Sequence, residues 1–197
     1  VAERCLLRTR SLLDLIRDLT EITRREGGFA ERRWQRIDLS AFLAEMVEFQ
    51  SAQAASQKIA LHLEPSTTPL HVVADRGDIE RIITNLLSNA IKYNVPGGRV
   101  ELRARATGGT VVIEVTDTGV GMSPADVARL GEEFFRAKNP TTRTVTGTGL
   151  GVALVKRVVD SYHGALEVES TLGKGSTFRV VLPSMPSRQM ETKGASA

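Results

Sequence analysis

The sequence predicts an α+β fold: a two-layer α/β sandwich, one mixed sheet with helices on one face, preceded by one long helix. Three observations carry this. Residues 100 to 106 and 110 to 116 alternate apolar and polar, the period of a half-buried strand, and Gly108-Gly109 between them signals a hairpin. Residues 77 to 94 instead repeat apolar side chains at steps of three and four, the period of a helix with one buried face. Two further alternating runs, 165 to 170 and 177 to 182, close the pattern around Gly173-Lys174-Gly175.

From the N-terminus, residues 3 to 25 read as a helix, with Leu12, Ile16, Leu19 and Ile22 on one stripe and Gly27-Gly28 as its stop. Such a stripe on a solvated helix needs a partner, either another helix or a second copy of the chain. A second helix starts at Asp38-Leu39-Ser40 and runs to about Gln57. Residues 59 to 63 and 70 to 74 read as strands, 77 to 94 as a helix, and Pro96-Gly97-Gly98 as a turn. Ser123-Pro124 is a helix start, with a hydroxyl cap and proline in the first turn. Residues 136 to 146 form a polar, basic loop, and 149 to 162 a helix. Beyond Pro183 the pattern is that of a disordered tail. The expected division is 1–28, 29–184 and 185–197.

Composition narrows the function. Of 197 residues, 41% are hydrophobic, enough for one core. A formal net charge of +3 without a basic run argues against a nucleic-acid partner. One cysteine, Cys5, permits no intrachain disulfide and fits a reducing compartment. No stretch approaches the roughly 20 apolar residues that span a bilayer, so any membrane anchor of a parent protein is expected outside this chain.

Three segments carry the chemistry. On the helix at 77 to 94, Ile79, Ile82, Ile83, Leu86, Leu87 and Ala90 form the apolar arc; Asp78, Arg81, Asn85, Asn89 and Lys92 fall on the complementary one. Asparagine weakens helices relative to Glu or Lys, so two of them four apart make sense where their oxygens are needed. Mg²⁺ takes hard oxygen ligands, and one neutral amide beside nucleotide phosphates suits it. Asp117, at a strand end before Gly119 and Gly121, offers a carboxylate to the exocyclic amine of adenine and opposes the carbonyl oxygen of guanine. Gly147-Thr148-Gly149-Leu150-Gly151 leads into a helix, and glycine amides at a helix N-terminus make an anion site for phosphates. The loop is neither a Walker loop, lacking Gly-Lys-Ser/Thr, nor a dinucleotide fingerprint, because no strand precedes it. Taken singly, the three have plainer readings: a solvated helix face, an Asp-Gly turn and a glycine-rich bend.

The ordered set resembles the ATP-binding domain of sensor histidine kinases, whose Bergerat-type fold is shared with DNA gyrase and the heat-shock chaperones. The likeness runs from about Ile37 to Pro183, and residues 3 to 25 are similar to the second helix of the dimerisation and histidine-phosphotransfer hairpin. It implies a phosphotransferase that binds ATP and Mg²⁺. Asn89 would hold the metal, Lys92 would reach a phosphate and Tyr93 would lie near the nucleoside. Asn85 stands where ATP-hydrolysing relatives carry a Glu, and an amide cannot take a proton from water, which favours transfer over hydrolysis. Phe134-Phe135-Arg136 and the segment to Val145 resemble the phenylalanine box and ATP lid. There Arg136, Lys138 and Arg143 would neutralise γ-phosphate charge. Thr177, in the last glycine box, would sit near the adenine. Gly131 departs from the pattern, standing where the box usually begins with phenylalanine, and Val152 replaces a longer aliphatic residue.

The phosphoacceptor histidine expected on such a hairpin is not in this chain. His62, His71 and His163 stand in structural contexts, the last with Gly164 as a helix C-terminal turn. The resemblance thus implies a cytoplasmic kinase domain acting on a histidine helix of the same protein or its dimer mate, then serving a response regulator. Two alternatives remain open from sequence: a non-transferring ATP-sensing or interaction module, and an anti-sigma-type serine kinase.

Overall fold

The computed structural model describes residues 32–137 and 147–185. The expected helix at 3 to 25, Lys138 and Arg143 in the stretch 138–146, and the tail beyond 185 lie outside the described residues. The strands, in chain order, are β1 (Trp34–Asp38), β2 (Ala60–Leu63), β3 (His71–Asp75), β4 (Arg99–Thr107), β5 (Thr110–Asp117), β6 (Ala165–Thr171) and β7 (Gly175–Pro183). The helices are α1 (Leu39–Ser56), α2 (Arg76–Lys92), α3 (Pro124–Ala128) and α4 (Gly151–Ser161).

Five strands form a mixed sheet in the order β2-β4-β5-β7-β6. β2 runs parallel to β4 and the other pairs are antiparallel. Gly108 and Gly109 both adopt positive φ, 57° and 82°, the two-residue turn that matches the twist of β4 and β5. One face of the sheet is apolar: Val100, Leu102, Val111, Ile113, Val115, Phe178, Val180 and Leu182 are buried against Ile79, Ile82, Ile83, Leu86 and Leu87 of α2 and Val155, Val158 and Val159 of α4. The other face is polar, and its one buried carboxylate, Glu114, is paired with Arg103 and with Arg179 (2.5 Å).

β1 is not legible in the periodicity. It pairs antiparallel with β3 in a separate two-stranded sheet, Trp34 opposite Asp75 and Asp38 opposite His71. Only Ile37 of its five residues is buried, so no alternation of two marks it. Its stability comes from tertiary pairing and from Trp34, whose ring meets the edge of Tyr162 at 5.5 Å. One backbone bond, Val73 N–H to the Ser184 carbonyl (3.0 Å), ties this small sheet to the end of β7.

The helix starts follow their capping chemistry. Asp38 accepts from Ala41 N–H, Asp75 from Gly77 and Asp78 N–H, and Ser123 from Asp126 N–H. α4 closes as expected: His163 takes φ 53° and Gly164 N–H bonds the Val159 carbonyl at 3.0 Å. No helix among the described residues is long and apolar enough to cross a membrane.

Candidate nucleotide site

α2 brings the polar stripe to the site while its opposite arc is locked on the sheet. Asn85, Ser88, Asn89, Lys92 and Tyr93 line a cavity of about 430 Å³, with Asp117, Gly121 and Met122 at its sheet end and Gly147, Thr148, Gly149 and Gly151 across it. Phe135, Arg136 and Gly131 also line it. Asp78, on the same helical stripe, is not there. It is buried about two turns from Asn85, where it accepts from Arg32 Nε (3.0 Å) and the Tyr162 hydroxyl (3.0 Å).

Asp117 ends β5 and is 8% exposed. Its Oδ1 accepts the Gly119 N–H at 2.7 Å. Burial pushes its carboxyl up to about 6, partly offset by the backbone N–H groups of Gly119 and Ser176. A desolvated carboxylate of this kind gains from an additional donor such as an amine. The turn after it is held closely: Gly119 has no room for a Cβ, which would stand 2.4 Å from the Tyr93 carbonyl.

The glycine loop sits between α2 and the phenylalanine segment. Gly149 adopts φ 77°, and a Cβ there would lie 2.8 Å from the Phe134 backbone, so only glycine lets the two stretches touch. At Gly147 a Cβ would lie 2.8 Å from Lys92 Nζ, and at Gly151 2.7 Å from Asn85 Oδ1. The lysine, both asparagines and the start of α4 therefore share one small space. The first-turn amides of α4 lack a side-chain cap, which leaves this helix N-terminus suited to an anion. Thr148 Oγ1 accepts the Leu150 N–H (3.2 Å), shaping the loop, and Leu150 itself is buried.

Asn85 Nδ2 donates to the Arg81 carbonyl at 3.0 Å, which directs its oxygen to Gly151. Lys92 Nζ lies 5.7 Å from the Tyr93 ring centre. Phe135 is half-buried with the Arg129 guanidinium over its ring at 4.3 Å, whereas Phe134 (φ 61°) is exposed. Lys138 lies outside the described residues.

Thr177 does not belong to this group. It pairs with Thr116 across the polar face, hydroxyl to hydroxyl at 3.1 Å, on the far side of the sheet from the cavity. The neighbouring Ser176 faces the cavity and is the register partner of Asp117. The signal was present in the sequence, since Ser176 shares parity with Phe178, Val180 and Leu182.

The residues fit an adenine nucleotide: a narrow apolar cavity, an acceptor at one end, and glycine amides, a helix N-terminus and cations at the other. They also fit a phosphate-bound metal, for which Asn89 supplies a neutral oxygen donor. Residues 74–186 match the family described as "Histidine kinase-, DNA gyrase B-, and HSP90-like ATPase". The chain is 34% identical over 185 residues to the sensor-like histidine kinase SenX3 of Mycolicibacterium smegmatis, covering 94% of this chain and 48% of that protein. It is 38% identical over 175 residues to the histidine protein kinase DivJ of Caulobacter vibrioides, covering 87% and 29%. The solved structure of full-length ShkA in complex with AMPPNP aligns with a TM-score of 0.78 at 31% identity, over 89% of this chain and 36% of that one. The chain thus spans less than half the length of these relatives.

Proposed function

Because the chain belongs to the histidine kinase, DNA gyrase B and HSP90-like ATPase family, and its relatives are sensor histidine kinases, we propose that it binds Mg-ATP and passes the γ-phosphoryl group to a histidine outside this chain. The observation that carries this reading is the convergence of Asn89, Lys92, Asp117 and the Gly147–Gly151 loop on one cavity. The AMPPNP complex of ShkA supports the choice of ligand.

In this reading Asp117 accepts from the exocyclic amine of adenine, and Tyr93 flanks the nucleoside. The loop amides and the α4 N-terminus hold the α- and β-phosphates. Lys92 and Arg136 offset charge on the γ-phosphate, with Lys138 of the adjoining segment proposed for the same task. Asn89 would hold Mg²⁺, which when bound neutralises phosphate charge. Asn85 orients and accepts no proton from water: its amide donates to the Arg81 carbonyl, and its oxygen faces the start of α4 at Gly151. A neutral imidazole acceptor is itself the nucleophile, so this chain needs no general base.

The rest of the proposal concerns the whole protein. Residues 1–28 would be the second helix of a dimerisation hairpin, the acceptor histidine would come from the same protein or its dimer mate, and an aspartate of a response regulator would receive the group in the cytoplasm. The test is to incubate this chain with γ-labelled ATP and a separately supplied histidine-bearing helix hairpin. Acid-labile label on the hairpin, lost in Asn89→Ala, supports transfer. ATP binding without any label on the hairpin would reduce the function to nucleotide sensing.

A further inference from the structure

Seen from the helices, the rows of the five-stranded sheet through Val115 and Ile113 are apolar, joining Val168, Phe178 and Leu102 in one and Leu166, Val180 and Ala104 in the other. The row nearest the glycine turns is different. It sets Ser170, Ser176 and Asp117 side by side on β6, β7 and β5. Asp117 and Ser176 line the cavity; Ser170 does not, yet its hydroxyl is the most connected in the row.

Ser170 Oγ stands within bonding distance of three groups: the Met122 N–H (2.8 Å), the Gly175 carbonyl (3.0 Å) and Ser176 Oγ (3.0 Å). A serine hydroxyl has one proton and two lone pairs. The Met122 amide can only donate, so it occupies one lone pair. The Gly175 carbonyl can only accept, so it takes the single proton. Ser176 must then give its own proton to the second lone pair. No other assignment satisfies all three contacts. Ser176 is left facing the cavity with lone pairs alone, beside the carboxylate of Asp117.

We propose that Ser170 is a positioning residue that fixes the Ser176 proton away from the cavity, so that two neighbouring acceptors select an amino purine over an oxo purine. An exocyclic amine carries two N–H donors and satisfies both acceptors. The carbonyl oxygen of an oxo purine meets two acceptors and no donor. Without Ser170, the Ser176 hydroxyl is free to turn and donate to that oxygen. The inference rests on the nucleotide reading of the cavity given above, and it assigns part of the base selectivity to a side chain outside the cavity.

The experiment is a calorimetric titration of the full chain, wild type, Ser170→Ala and Ser170→Thr, with ATP and with inosine triphosphate, which replaces the amine with a carbonyl and carries a proton on N1, a change common to all three titrations. Melting curves establish that each variant is folded. The expected result is an ATP-over-inosine preference that narrows about tenfold in Ser170→Ala, mainly through tighter inosine triphosphate binding. Ser170→Thr, which keeps the hydroxyl on a strand, retains the wild-type ratio. An unchanged ratio in Ser170→Ala, an equal loss for both nucleotides, or a threonine variant that behaves like alanine would each overturn the proposal. Absence of saturable ATP binding by the wild type is a separate outcome, which overturns the nucleotide reading and this inference with it.

Discussion

Titration of Asp117 is expected to move folding stability and nucleotide affinity in opposite directions. Its carboxyl is raised from 3.8 to about 6, chiefly by burial. At low pH the folded and unfolded chains both hold the proton, and burial costs nothing electrostatic. As pH rises between the two values the unfolded chain releases the proton first, so the folded state binds more protons and loses stability. The full loss across that window is about 3 kcal/mol, and between pH 5 and pH 7 it is about 1.3 kcal/mol. The ionised fraction in the free fold climbs over the same interval from about one tenth to nine tenths, so affinity for ATP should rise about eightfold to tenfold. For stability the needed reference is Asp117→Asn, which removes this titration alone. Denaturant melts of both proteins at pH 5, 6 and 7 isolate this residue's share of stability, and ATP titrations of the wild type at the same pH values follow affinity. A wild-type-minus-variant stability that rises with pH together with the wild-type affinity would refute the assignment of a desolvated, ligand-accepting carboxylate.

Further outcomes follow from the same geometry. Ser176→Ala should weaken ATP binding several-fold, whereas Thr177→Val, on the polar face, should leave it within twofold; paired titrations decide between the two neighbouring hydroxyls. Gly149→Ala must force a Cβ against the Phe134 backbone at positive φ, and is expected to cost about 1–2 kcal/mol of stability and most of the ATP affinity, checked by melting and titration. Arg32→Ala strips the guanidinium from the buried Asp78, far from the cavity, and should cost about 3 kcal/mol in denaturant melts while the folded fraction binds ATP normally.

Much of the site could be read from the chain because its parts are local patterns. A helical period places Asn85, Asn89 and Lys92 on one face whatever the tertiary context, and a strand ending in Asp117 followed by glycines needs no distant partner to be recognised. The shortfalls lie where a partner element decides. Asp78 obeys the same period as Asn85, but Tyr162 and Arg32, 84 and 46 residues away in sequence, bury it in a polar cluster of its own. β1 exists because β3 pairs with it, and five residues with one buried side chain carry no period. Thr177 and Ser176 are both small hydroxylated residues, and a shift of one residue in a strand reverses the face. Their assignment depends on the register with Asp117, which the alternation of Phe178, Val180 and Leu182 does encode. Ser170 shows no motif at all; its importance is visible only when the cross-strand row is assembled.

In the proposed function the cavity holds Mg-ATP through Asp117 at the base end and Asn89 at the phosphate end. This is tested most directly by calorimetric titration of the chain with ATP in the presence and absence of Mg²⁺, with Asp117→Asn and Asn89→Ala as paired variants. The expected result is saturable binding that Asp117→Asn abolishes regardless of metal, and a Mg²⁺-dependent gain in affinity that Asn89→Ala removes. No saturable binding, or binding that both folded variants retain unchanged, would contradict it.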